Sequence, residues 1–132
     1  MSHLIRIAIL VLIALLLVGC SSAPTTSAAL ISPVDYVEQY QTSAVPHLLV
    51  DVRTPEEYAE GFIAGSVNIP LQELEARLNE IPRDMPVVVY CRSGNRATQA
   101  ADLLIRNGYS DVYNMGGVSQ WEAAGYPLAQ TG

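Results

Sequence analysis

PVVVYCRSGNRATQAADLLIRNG, from Pro86 to Gly108, decides the fold class of this chain. The apolar run Pro86 to Tyr90 reads as a buried strand. Cys91 follows it, then a short polar loop containing Gly94. Beyond the loop, Ala97, Ala100, Ala101 and Leu104 fall at i, i+3, i+4 and i+7, the spacing of one helical face, and Gly108 is placed to stop that helix after Asn107. A strand that runs through a cysteine-bearing loop into a helix can build an anion cradle around a thiolate. Loop amides can turn inward, the helix begins there with its positive dipole end, and Arg92 and Arg96 add full charges. All three favour the ionised sulfur, which makes Cys91 a candidate nucleophile. The competing reading is a buried core thiol, since free cysteine is among the most buried residue types. A core thiol needs neither the polar loop nor the two arginines, so the cradle is the preferred reading.

Outward from this stretch, helices and strands alternate. Ser32-Pro33-Val34-Asp35 offers a cap, a proline at the first helical position and an early carboxylate, which predicts a helix to about Gln41. Leu48 to Val52 reads as a short strand. Thr54-Pro55-Glu56-Glu57 repeats the start signal for a second helix, ending near Glu60. A strand over Ser66 to Ile69 is closed by Pro70, and Leu71, Leu74 and Leu78 predict a third helix to Ile81. After the central strand and helix come a strand from Val112 to Met115, a break at Gly116-Gly117, and a short helix around Val118 to Ala124. Such alternation predicts a single α/β domain whose parallel sheet is flanked by helices on both faces, with any ligand at the carboxyl ends of the strands. Asp51 and Cys91 both fall at such ends.

The N-terminus reads differently. Arg6 precedes the apolar segment Ile7 to Val18, the layout of a secretory signal and shorter than the roughly 20 apolar residues of a spanning helix. The segment closes on Leu17-Val18-Gly19-Cys20, which resembles a bacterial lipobox. That resemblance implies a signal peptide over residues 1–19 and lipidation of Cys20. Residues 20–29, rich in Ser, Thr, Ala and Pro, then form a flexible tether, and the folded domain spans 30–132. Acyl chains on Cys20 would hold the protein in a bacterial membrane, and the residue after Cys20 is Ser rather than Asp, which leans toward the outer membrane with the domain facing the periplasm.

Once Cys20 is consumed by lipid, Cys91 has no partner for a disulfide, and an unpaired thiol in an oxidising compartment points to reactivity. Two cysteines and two histidines, of which His3 lies in the signal, do not make a zinc site, so no metal and no other cofactor is expected. Without residues 1–19, six arginines face thirteen Asp and Glu, a formal charge of −7, and the chain has no lysine. Such acidity argues against nucleic acid as a partner. The domain is expected to act as a monomer.

Three ordered segments resemble the rhodanese-homology family over roughly Ile31 to Leu128: DVRTPEEYAEGFIAGSVNIP (Asp51 to Pro70), CRSGNRA (Cys91 to Ala97) and VYNMGGVSQWEAAGYPL (Val112 to Leu128). The resemblance implies a sulfurtransferase. Cys91 would attack the outer sulfur of a small anionic donor such as thiosulfate, hold it as a persulfide, and pass it to a thiophilic acceptor. Arg92, Ser93, Gly94, Asn95 and Arg96 would form the donor cradle. Asp51 matches the family's acidic residue beside the loop and is expected to pair with Arg96 or its neighbours. Phe62 stands where the family commonly has His, and His47, next to Pro46, reads as a loop residue, so no histidine base is implied. Tyr36, Tyr40, Tyr58, Tyr90 and Trp121 read as packing. Two alternatives remain. A related phosphatase or arsenate reductase would need five residues between cysteine and arginine, where this chain has four; a tethered persulfide carrier or docking module would bind without turnover.

Overall fold

The computed structural model of the protein describes residues 27–132. Five strands form one sheet: β1 (Ala29–Leu30), β2 (Leu48–Asp51), β3 (Val67–Asn68), β4 (Val87–Cys91) and β5 (Val112–Gly117). Their order is β1-β5-β4-β2-β3, and every neighbouring pair is parallel. The helices between them are α1 (Pro33–Tyr36), α2 (Pro55–Glu60), α3 (Leu71–Leu74), α4 (Asn95–Arg106) and α5 (Val118–Ala123).

Two-residue alternation along β4 explains why helices cover both faces. All five of its side chains are buried. Val87, Val89 and Cys91 join the cluster under α3 and α4, with Leu74, Ala97, Ala100, Ala101 and Leu104. Val88 and Tyr90 point the other way, into a cluster with Tyr36, Tyr40, Ile63 and Trp121. Successive side chains of a strand face opposite sides, so a central strand buried on both must be apolar throughout. Small alanines on α4 let that helix lie close against the sheet.

The two start signals are realised as expected. The Ser32 side chain accepts from the Asp35 amide at the head of α1, and Thr54 and Glu57 form a reciprocal capping box on α2. Elsewhere the boundaries move. The first helix continues beyond Tyr36 as a π-helical turn over Val37–Thr42, and the third tightens into a 3₁₀ segment, Glu75–Glu80, with Arg77 at φ −116°. The central helix begins at Asn95, two residues before its first apolar contact. The strand expected over Ser66 to Ile69 pairs only at Val67 and Asn68. Gly116 and Gly117 do not break the chain after β5 but extend that strand.

β1 was not expected. Ala29, assigned from composition to the tether, pairs with Tyr113, and Leu30 pairs with Asn114. A two-residue edge strand carries no periodic signal; the backbone groups of β5 recruit it. The signal peptide, Cys20 and most of the tether lie outside the described residues. Among the described residues no helix is long and apolar enough to cross a membrane.

Candidate active site

Cys91 is the last residue of β4, and a register shift between Val89 and Cys91 lets it pair with Gly117 at the end of β5. Its side chain is 1% exposed and packs into the cluster under α4, as the core reading expects. Of the loop amides, that of Gly94 meets the sulfur, donating to Cys91 Sγ at 3.0 Å. The wider ring of amides anticipated from the sequence is thus reduced to one hydrogen bond among the described residues.

The loop is shaped from three sides. Gly94 caps α4 at φ +111°, a conformation open to glycine, and no side chain caps the helix in its place. The Arg92 carbonyl accepts from the Ser119 amide at 3.1 Å and the Ser119 hydroxyl at 2.9 Å, which ties the loop to the start of α5. Gly117 lets the two segments touch. A methyl group built there would collide with the carbonyl carbon and oxygen of Arg92 and lie 2.7 Å from the Ser93 nitrogen. The side chains of Arg92, Ser93 and Asn95 are exposed and make no hydrogen bond among the described residues.

Arg96 and Asp51 depart from the expected pairing. Arg96 donates through both terminal nitrogens to Glu57, at 2.7 and 2.8 Å, and not to Asp51. Glu57 also accepts from the Thr54 amide, so one carboxylate both caps α2 and fixes the arginine that closes the loop. The Arg96 contact, aided by Thr54, pulls the Glu57 carboxyl down to about 2. In turn Glu57 holds the Arg96 guanidinium charged more firmly than usual. Asp51, fully buried, takes the amide, Nε and Nη2 of Arg53 instead, with Nη2 at 2.6 Å. A neighbour two residues away reaches the buried carboxylate through a far shorter loop than the arginine at the start of α4. Arg53 Nη2 also donates to the Gly61 carbonyl, and the guanidinium lies 5.8 Å from the Tyr90 ring centroid. Tyr90 anchors the far wall, accepting from the Ile63 amide and bonding Ser66; burial raises its phenol well above the ordinary value.

Arg53, Glu57, Gly117 and Ser119 were missed as site residues. The capping position of Glu57 was legible, but its second partner lies 39 residues away. His47 does precede β2, yet it is anchored: Nδ1 hydrogen-bonds the Val45 carbonyl, and Nε2 shares a hydrogen bond of 2.8 Å with the Tyr36 hydroxyl. Phe62 stacks on Tyr58 with centroids 4.5 Å apart and pairs its backbone with Ala129. Tyr36, Tyr40, Tyr90 and Trp121 are core residues. Among the described residues no cluster of His, Cys, Asp and Glu could hold a metal ion.

Fold and site together define a thiol-centred α/β domain, with a cysteine at the carboxyl tip of a central parallel strand and the start of a helix directed at its sulfur. The Rhodanese-like domain family matches residues 33–124, and the chain belongs to that family. Among its relatives is a protein named sulfurtransferase from Allochromatium vinosum, 45% identical over 82 residues, covering 61% of this chain and 77% of that one. Another is the thiosulfate sulfurtransferase PspE of Escherichia coli, 39% identical over 71 residues, covering 52% and 68%. Among solved structures, a rhodanese-related protein from Thermoplasma volcanium superposes with a TM-score of 0.69 at 33% identity, covering 78% of this chain and 99% of that one. Sulfur transfer is therefore the general activity associated with its named relatives.

Proposed function

We propose that this protein is a sulfurtransferase working through a persulfide on Cys91. The observation that carries the reading is the Gly94 amide on Cys91 Sγ at the tip of β4, in a family with sulfurtransferase-named members. Loading conserves atoms and charge. The Cys91 thiolate attacks the outer sulfur of thiosulfate, a new S–S bond forms, the old S–S bond breaks, and sulfite leaves with the bonding pair. The Gly94 N–H and the start of α4 face Sγ, which carries the negative charge before loading and again after discharge, while the charge of the persulfide lies on its outer sulfur; fixed dipoles at Sγ cost no reorganisation. An acceptor thiolate then attacks the outer sulfur of the persulfide and returns the electron pair to Sγ.

Incubating the protein with thiosulfate and reading its intact mass tests the first half: one sulfur, about 32 Da, is expected on Cys91. Cys91→Ser is expected to lose both the adduct and thiosulfate:cyanide turnover while keeping its far-ultraviolet spectrum. A turning-over Cys91→Ser protein would overturn the mechanism, and an adduct that no acceptor discharges would leave a carrier in place of an enzyme. Membrane attachment through Cys20 belongs to the same proposal, supported by the Leu17-Val18-Gly19-Cys20 sequence. Expressed in a bacterium, the full chain should fractionate with membranes, and Cys20→Ala should release or mislocalise it.

A further inference from the structure

A cavity of about 280 Å³ opens beside the loop, starting one residue from the nucleophile at Arg92 and running between α2 and α5. Two of its charges are already balanced. Glu57 is held by Arg96, and Arg53 is held by Asp51. Arg53 is nonetheless instructive: it is 5% exposed and lines the cavity, with Nε and Nη2 committed to Asp51 and Gly61 while Nη1 makes no hydrogen bond among the described residues. A buried guanidinium clamped on one edge presents a donor of fixed direction, which suits a carboxylate. Arg92 lines the same cavity, exposed and without an ion pair among the described residues. The rim carries the opposite sign, because Glu60 and Glu122 are exposed carboxylates with no ion pair among the described residues. Val118 and Leu128 supply the apolar lining between.

A dianion would meet two unbalanced carboxylates against one unbalanced cation. A small molecule carrying both signs satisfies both ends at once, and the volume suits one of amino-acid size. We infer that this cavity is the acceptor subsite and takes an amino-acid thiol, its carboxylate on Arg53 Nη1 and Arg92 and its ammonium between Glu60 and Glu122. The inference rests on the sulfur-transfer reading above and names its acceptor class. The bound thiolate attacks the outer persulfide sulfur; the bond from Cys91 Sγ to that sulfur breaks, Sγ regains its pair, and an amino-acid persulfide departs.

The test compares four thiols discharging thiosulfate-loaded protein: L-cysteine, 3-mercaptopropionate, cysteamine and 2-mercaptoethanol, with rates corrected to each thiolate fraction. Cysteine should exceed 2-mercaptoethanol by about tenfold, with the two singly charged thiols between. In the Glu60→Gln/Glu122→Gln protein, cysteine should fall about threefold or more, to the level of 3-mercaptopropionate. Equal rates for the four thiols would overturn the inference and leave sulfur transfer standing. S-methyl-L-cysteine, which accepts no sulfur, provides the independent arm: it should shift the amide resonances of Gly61 and Ser119 in the wild-type protein and much less in the double variant. Binding without any persulfide would support the ligand class while removing the sulfur-transfer reading, and no shift at these amides would remove the subsite.

Discussion

At the scale of single residues, the site depends on two positions whose contacts no local pattern specifies, Gly117 and Asp51. Gly117 has extended backbone, φ −165°, so its requirement is space rather than conformation. Gly117→Ala must push the Arg92–Ser93 backbone away, since the clash is with main-chain atoms. We expect about 1–3 kcal/mol of destabilisation, read by urea unfolding, and slower persulfide loading as the Gly94 amide leaves the sulfur. An unchanged loading rate would separate the loop position from reactivity. Asp51 is the second position. Asp51→Asn leaves the buried Arg53 guanidinium uncompensated and should cost about 3–5 kcal/mol, because the desolvation of that charge remains while its partner is gone. A loss below about 1 kcal/mol would show that the pair is not what holds Arg53.

Elements meet at α2. Its capping box positions Glu57, and Glu57 positions Arg96, so a local signal at one helix start is spent on organising another. Thr54→Ala should lower stability by about 1 kcal/mol. It should also loosen Arg96, which a chemical-shift change at the Arg96 side chain would report. The acid dependence follows from Glu57, whose carboxyl lies at about 2 against an ordinary 4.5. Between these values the unfolded chain binds the proton and the folded one does not. The Glu57 contribution is therefore complete above about pH 4.5 and lost as pH falls toward 2. Glu57→Gln should flatten that part of the stability–pH curve, and a curve of unaltered slope would contradict the assignment. The Glu57–Arg96 pair explains why the expected Asp51–Arg96 contact does not form: both terminal nitrogens of Arg96 are already taken.

For the molecule as a whole, one sheet separates two apolar clusters that share no helix. Leu104 is fully buried in one and Ile63 in the other. Leu104→Ala and Ile63→Ala should each cost about 2–5 kcal/mol, with the losses adding to within about 0.5 kcal/mol because the side chains share no partner. Unfolding should remain a single transition, since each cluster is incomplete without the sheet between them. Two separate transitions would show that the faces fold independently. The same arrangement places the nucleophile: a strand buried on both faces is rigid to its tip, and the flexible requirement is confined to the few loop residues beyond it.

Period, caps and punctuation were enough to read the alternating architecture, the central strand and helix, and the cysteine loop between them. Those signals are local: apolar spacing within one segment, a proline and a carboxylate at a helix start, a glycine past its end. What the tertiary structure alone decided were the partners. Arg53 rather than Arg96 reaches Asp51, Glu57 reaches Arg96, Ser119 holds the Arg92 carbonyl, and Ala29–Leu30 becomes a strand because β5 offers an open edge. Each of these depends on which groups the packed sheet brings within about 3 Å of one another, and a one-dimensional pattern carries charge and period but not proximity.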